Sequence, residues 1–270
     1  MIVVTGATGN VGRPLVAALA EAREDVTAVS RGIAAADVPA GVRVHRADLS
    51  DPRELEPALD GAAALFLLTT GAFDPAVLEL ARAAGVGRVV LLSSQGVGTG
   101  RHPADLEEAV IRSGLDWTVL RPGGFHSNTL MWAGSVRTQR VVAAPFGDVA
   151  LPTIDPADIA AVAAAALREP GHAGRTYTLT GPEAVSPRQQ AAAIAAALGE
   201  PVRFVEQTRA EAKAQLVAFM PEPMADHTLD ILGTPTPAEQ RVSPDVARVL
   251  GRAPGSYAEW AARNVAAFRP

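Results

Sequence analysis

The sequence predicts an α/β fold built on a doubly wound parallel sheet, and three observations predict it. The chain opens on an apolar, β-branched run, Met1-Ile-Val-Val-Thr5, which reads as a buried strand. Gly6, Gly9 and Gly12 follow at once, and Val11, Leu15, Val16 and Leu19 then recur at helical spacing. Short apolar runs go on alternating with helical patterns as far as Gly124. Parallel strands need a crossover between them, and the crossovers are right-handed. Ligands in such sheets bind beyond the carboxyl ends of the strands, so the loops there are where chemistry is sought.

The 270 residues allow one large domain or two small ones, and a hydrophobic content of 48% supplies a sizeable core. The net charge of −5 gives no electrostatic reason to bind a polyanion, so no nucleic-acid partner is expected. No stretch is long and apolar enough to span a bilayer; residues 159–167 are alanine-rich but short. A signal peptide is not expected, because the first strand begins at Met1. Cysteine is absent. That removes disulfides, thiolate metal sites and cysteine nucleophiles, suits a cytoplasmic protein, and leaves no metal site in view. Lys213 is the only lysine, so any mechanism that needs one has a single candidate.

The elements follow in order. Residues 26–30 and 42–47 read as the second and third strands. Ser50 or Asp51 then caps a short helix with Pro52 at its first position. Residues 64–70 form the fourth strand, and Asp74 starts a helix to Ala84. Residues 88–94 form the fifth strand. A glycine-rich loop over 96–100 leads to a helix over 103–113 with Leu106, Val110 and Ile111 as its apolar face. Residues 117–120 form the sixth strand, ended by Arg121-Pro-Gly-Gly124. Beyond it the alternation weakens. Residues 125–132 read as a short helix. Asp155 and Pro156 begin a helix to Arg168, and Asp158 suits its dipole, so both acids are assigned to capping rather than catalysis. Residues 175–180 read as another strand. Ser186-Pro187 opens a helix closed by Gly199. Residues 202–205 read as a strand and 211–220 as a helix. The four prolines Pro221, Pro223, Pro235 and Pro237 mark the stretch between them as mobile. Ser243-Pro244 starts a helix ended by Gly251, and Ser256 caps a last one.

Strand, glycine turn and helix form the context in which such a motif binds a dinucleotide. The spacing is GxxGxxG rather than the better-known GxGxxG. Gly6 permits the tight turn, Gly9 lets the backbone approach a pyrophosphate, and Gly12 lets the helix pack on the strand. The amides of Thr8, Asn10 and Val11 then face the phosphates at the positive end of the helix.

Several motifs in order carry a resemblance. They are Thr5-Gly-Ala-Thr-Gly-Asn-Val-Gly12, Arg31 after the second strand, Ala47-Asp-Leu49, Ser113-Gly-Leu-Asp-Trp-Thr-Val-Leu-Arg-Pro122, residues 155–160, Tyr177-Thr-Leu-Thr-Gly-Pro182 and residues 246–255. The chain resembles the NmrA-like, atypical short-chain dehydrogenases/reductases. The resemblance implies a Rossmann domain with a smaller α+β C-terminal lobe, the substrate lying between them. Residues 1–124 would form the NAD(P)-binding core, with 150–180 adding a strand and a helix. Residues 125–149 and 181–270 would form the substrate lobe. The resemblance also places Thr8, Asn10 and Val11 in the phosphate loop and Asp48 and Leu49 beside the adenine. Thr69 and Thr70 fall near the nicotinamide ribose, and Ser93 and Ser94 near the catalytic serines of relatives. Arg31 falls where the adenosine ribose is read. An acid there would suit the ribose hydroxyl of NAD; a cation suits the 2′-phosphate, so NADPH is expected over NADH.

Typical members of that superfamily use a Tyr-x-x-x-Lys pair, the lysine lowering the phenol pKa. Here the only tyrosines, Tyr177 and Tyr257, are followed four residues later by Gly181 and Ala261, so the pair is absent. Two readings follow. In one the chain is an NADPH-dependent oxidoreductase passing hydride to a small electrophile such as a quinone or enone, which needs no tyrosine. In the other it is a non-catalytic NADP(H) sensor acting through a protein partner. For the first, His126 and His102 are candidate proton donors, with Ser93 and Ser94, because histidine exchanges protons near neutrality. Phe125, Asn128 and Trp132 are candidates to wall the substrate pocket. Ser127 or Asn128 could instead cap the short helix. His45 in a strand, and His172 and His227 in loops, receive no role.

Overall fold

Strand-forming runs of the kind just described define β1 (Ile2–Thr5), β2 (Val26–Val29), β3 (Arg43–His45), β4 (Ala64–Leu67), β5 (Arg88–Leu92), β6 (Asp116–Pro122), β7 (Val141–Pro145), β8 (Arg175–Leu179) and β9 (Arg203–Gln207). They are seen in a computed structural model that describes residues 1–68 and 74–270. Seven of them form one sheet in the order β3-β2-β1-β4-β5-β6-β8, and every neighbouring pair is parallel. β1 is flanked on both sides, Ile2 standing opposite Val26 and Ala64. The order therefore reverses at β1, the switch point at which such sheets bind ligands. Every residue of β1, β2 and β4 is buried, which is why their sequences are largely apolar and not alternating, with Thr5 and Thr27 the polar exceptions.

The chain divides into two units. The first comprises Met1–Pro122, Pro156–Leu179 and Pro244–Ala253 and holds the parallel sheet. Its helices include Gly12–Glu21, Ala76–Ala83, Asp105–Arg112, Pro156–Arg168 and Asp245–Leu250. Val77, Leu78, Ala81 and Val110 pack on Val3, Leu65, Val89, Leu91 and Val119 of the strands. The Pro156–Arg168 helix packs against Gly12–Glu21. Its alanines make that close approach possible: Ala163 and Ala166 have no exposed surface at all. At its end, Arg88 Nη1 donates to Leu167 O at 2.7 Å, satisfying a carbonyl that the helix itself cannot.

The second unit comprises Gly123–Asp155, Thr180–Ser243 and Pro254–Pro270. It contains the parallel pair β7-β9 and a core in which Trp132, Val142, Ile194, Tyr257, Trp260 and Phe268 meet. The Pro187–Leu198 helix begins at Ser186, whose side chain accepts from Gln189 N, and ends at Gly199 with φ +70°. The segment Pro244–Ala253 belongs to the first unit, where Asp245 Oδ2 accepts from Thr178 N of β8 at 2.9 Å.

Several expectations are corrected. Within the stretch marked by four prolines, Glu222–Gly233 is a helix with Pro223 in its first turn, where a missing N–H is harmless, and Ala225 and Leu229 anchor it. His227 is therefore helical. Lys213 Nζ lies 2.8 Å from both Glu222 and Asp226 and ties the Arg209–Leu216 helix to this one. β7 was missed because its alternation is carried by small residues, Val141-Val-Ala-Ala-Pro145. Asp155 and Asp158 do more than sit at a helix start: each carboxylate is buried in an ion pair, with Arg263 and Arg252 respectively. Among the described residues, no helix is long and apolar enough to cross a membrane.

Candidate active site

The glycine loop is clamped before it can bind anything. Thr5 Oγ1, at the end of β1, donates to Phe66 O at 2.9 Å and accepts from Leu68 N at 2.8 Å. The chain then turns through Gly6 at φ +64°, and Gly9 N–H closes the turn onto Gly6 O at 2.9 Å. A Cβ on Gly12 would fall 2.1 Å from Gly6 O, so this glycine lets the helix sit on the loop. Gly9 is different. It is exposed, and a Cβ there would meet only Gly6 O, at 3.2 Å. Among the described residues the amides of Thr8, Asn10 and Val11 have no backbone acceptor. The helix has no side-chain cap and no acid in its first turn. An anion-binding helix start needs this arrangement, so the loop fits a dinucleotide pyrophosphate.

Two further loops extend the site along the carboxyl ends of β2 and β3. Thr8 Oγ1 stands 2.9 Å from Ser30 Oγ, the residue after β2. Arg31 follows and is exposed. Beyond β3, Ser50 N donates to Asp48 Oδ1 at 3.0 Å. That bond and the Ser50 hydroxyl hold the Asp48 carboxyl below its ordinary range, with a smaller pull from Arg31. Leu49 packs on the sheet core. Arg13, not singled out in the sequence, donates to Thr8 O at 3.4 Å and places a second cation at the loop. Thr69 and Thr70 lie outside the described residues.

The ends of β5 and β6 separate the two candidate serines. Ser93 Oγ donates to Glu107 Oε1 at 2.5 Å. Glu107 is only 3% exposed, and Arg121 from β6 grips it with Nε at 3.0 Å and Nη2 at 2.5 Å. The hydrogen-bonded Glu107 carboxylate raises the Arg121 guanidinium above its ordinary pKa. Ser94 faces another partner: its Oγ lies 2.8 Å from His102 Nδ1 and accepts from Gly96 N at 2.9 Å. The stretch expected as a glycine-rich loop begins as a short helix, Gln95–Gly98, capped by Ser94, and these neighbours explain its glycines. A Cβ on Gly96 would fall 2.5 Å from His102 Nδ1, and one on Gly98 would fall 2.9 Å from Arg121 Nη1. The Glu107–Arg121 pair was not anticipated from the sequence. An acid in the first turn of a helix reads as a dipole partner.

In the second unit the candidates fare differently. His126 is 1% exposed. Its Nε2 donates to Thr153 O at 2.9 Å, and its ring meets Tyr257 edge-on at 5.2 Å. Enclosed in this way it is a core histidine, and the proton-donor role is withdrawn. Trp132 also belongs to the core of the unit and is unavailable to wall a pocket. Phe125 is half-buried and bridges to Ile154, while Asn128 is exposed. The short helix His126–Trp132 has no side-chain cap, so Ser127 and Asn128 do not serve in that way either.

Comparison with known proteins bears on this geometry. A family model described as NAD(P)H-binding matches residues 6–170, from the glycine turn to the helix that packs beside it. The chain belongs to this NAD(P)H-binding family. It is 38% identical, over the full length of both chains, to a (4-alkanoyl-5-oxo-2,5-dihydrofuran-3-yl)methyl phosphate reductase of Streptomyces griseus. It is 36% identical, over 99% of each chain, to an NAD(P)H azoreductase of Xenophilus azovorans. The crystal structure of an NADPH-dependent quinone oxidoreductase from Escherichia coli in complex with NADPH superposes with a TM-score of 0.82 at 27% identity, covering 98% of this chain and 99% of that one. The protein is thus an NAD(P)H-dependent oxidoreductase with a Rossmann-like sheet, and the expectation of an enzyme of this class holds.

Proposed function

We propose that the oxidoreductase uses NADPH to reduce a small electrophile of the quinone or enone class, without a tyrosine–lysine pair. The observation that carries this reading is the placement of the two tyrosines. Tyr257 OH donates to Thr129 Oγ1 at 2.7 Å within a buried core, and desolvation pushes its pKa far up. Tyr177 hydrogen-bonds His172 Nδ1 at 2.9 Å and is also pushed up by burial. Neither phenol has a lysine beside it, because Lys213 is bound to Glu222 and Asp226. A ketone needs strong protonation at oxygen as hydride arrives. A quinone or enone delocalises the developing charge and needs far less help. The names of relatives that act on a quinone, an azo compound and an unsaturated lactone phosphate support acceptors of this kind.

The bound cofactor supplies the hydride. The chain's own part is to hold it: the amides after Gly6 take the pyrophosphate, Asp48 and Leu49 flank the adenine, and Arg31 takes the 2′-phosphate. The test is oxidation of NADPH and NADH by the purified protein against quinones, enones and ketones. Turnover is expected with quinones or enones and NADPH. Turnover confined to ketones, or confirmed NADPH binding with no turnover on any quinone or enone, would overturn the reading.

A further inference from the structure

We infer that Ser94 and His102 form a proton relay to the substrate oxygen, with Ser94 as the group that touches the substrate and His102 as the residue that recharges it. The inference rests on the quinone or enone reading above. It starts from a difference between two neighbours. Ser93 and Ser94 both follow β5, where the switch-point rule places chemistry. The Ser93 hydroxyl is committed as donor to the buried Glu107 carboxyl, which Arg121 also grips. Ser94 is not so committed. Its oxygen accepts from Gly96 N–H, and its remaining contact, at 2.8 Å, is with an imidazole nitrogen that can either give or take a proton. When Nδ1 carries the proton it donates to Ser94 Oγ, and the serine O–H turns outward to a third partner.

The surroundings hold that geometry. His102 N donates to Gly96 O at 3.0 Å, and the absence of a side chain on Gly96 admits the ring. His102 is partly exposed, so protons can reach it from water. Among the described residues, the charged groups around the segment include Arg101 and Asp105 beside it in the chain, and the Glu107–Arg121 pair, with Arg121 under Gly98.

The quinone gains a hydride at the expense of the reduced nicotinamide, which is oxidised. The electron pair of the attacked double bond moves to oxygen. That oxygen takes the Ser94 Oγ proton as the O–H bond breaks. Ser94 takes the Nδ1 proton of the imidazolium, and the neutral His102 is recharged from solvent.

The test compares wild-type enzyme, His102→Gln and Ser94→Ala over pH, each checked for NADPH binding. Wild-type kcat on a quinone should fall as pH rises through the histidine range, about pH 5 to 8. His102→Gln should lose roughly 10²-fold in kcat at acidic pH, with a flat profile and unchanged NADPH affinity. An independent readout uses the wild-type protein without cofactor. The His102 Cε1–H NMR resonance should titrate in that same range, and Ser94→Ala should move the midpoint. A His102→Gln profile parallel to wild type, or a His102 resonance that does not titrate, overturns the relay while leaving the quinone reading intact. A wild-type protein that turns over no quinone or enone overturns both.

Discussion

Thr8 Oγ1 and Ser30 Oγ meet at 2.9 Å and join the glycine loop after β1 to the end of β2, one residue before Arg31. With the backbone bond from Ala7 N to Val29 O at 3.1 Å, this hydroxyl pair fixes the loop proposed to hold the pyrophosphate against the one proposed to read the ribose. A net hydrogen bond of this kind is worth about 1 kcal/mol. Ser30→Ala should weaken NADPH and NADH alike by roughly fivefold, read by fluorescence titration. A loss confined to NADPH would show that Ser30 acts on the 2′-phosphate and not through the loop.

Arg31→Ala should separate the two cofactors. A charge-assisted contact contributes about 1.5–3 kcal/mol, so NADPH affinity should fall by roughly 10- to 100-fold while NADH affinity holds. Calorimetric titration with both cofactors measures this, and an equal loss removes Arg31 from the 2′-phosphate role.

The loop glycines should fail in different ways. Gly9 is exposed and a Cβ there meets Gly6 O at 3.2 Å, a contact that a small shift relieves, so Gly9→Val should still fold, with a modestly lowered melting temperature, yet lose both cofactors by blocking backbone approach. Gly12→Ala drives a Cβ against Gly6 O and should lose the fold itself. Circular dichroism melts beside cofactor titration distinguish the two, and retained NADPH affinity in Gly9→Val would reduce the loop to an ordinary turn.

Glu107 is the buried partner of both Ser93 and Arg121. Removing one member of a buried pair strands the other, at a cost of about 3–5 kcal/mol, reduced here because Arg121 is 27% exposed. Urea denaturation of Glu107→Ala should show a loss of roughly 2–4 kcal/mol. A loss below about 1 kcal/mol would place the pair among the weak surface bridges.

The tyrosines give a pH prediction. Burial raises both phenols, so the folded state binds protons that the unfolded state has released above about pH 10. Their contribution to stability is complete below the unfolded pKa and is lost as pH rises beyond it. Phenolate absorbance should thus appear together with unfolding. Ionisation of a tyrosine in the folded protein near neutrality would reopen a phenol as proton donor.

Much of the first unit was legible in the chain. β1, β2, β4 and β5 are buried on both faces, so their runs are continuous and unmistakable, and glycine spacing after a strand has few other uses. Helix starts at Asp51, Ser186 and Ser256 were legible for a local reason: a side chain caps an amide two or three residues on. The second unit was read less well. The Glu222–Gly233 helix hides behind its prolines, and β7 carries too little apolar bulk to stand out.

The sequence by itself determined the parallel sheet, the glycine loop, the cation at Arg31 and the absence of a tyrosine–lysine pair. Each of these depends on residues close together in the chain, or on composition alone. Only the tertiary structure decided what each candidate side chain touches. Burial withdrew His126 and Trp132, and Glu107, fourteen residues beyond Ser93, accepts that serine's hydrogen bond. The fold then left Ser94 against His102. Proton traffic depends on what lies within 3 Å of an atom, and that distance is set by packing between segments that no local pattern encodes.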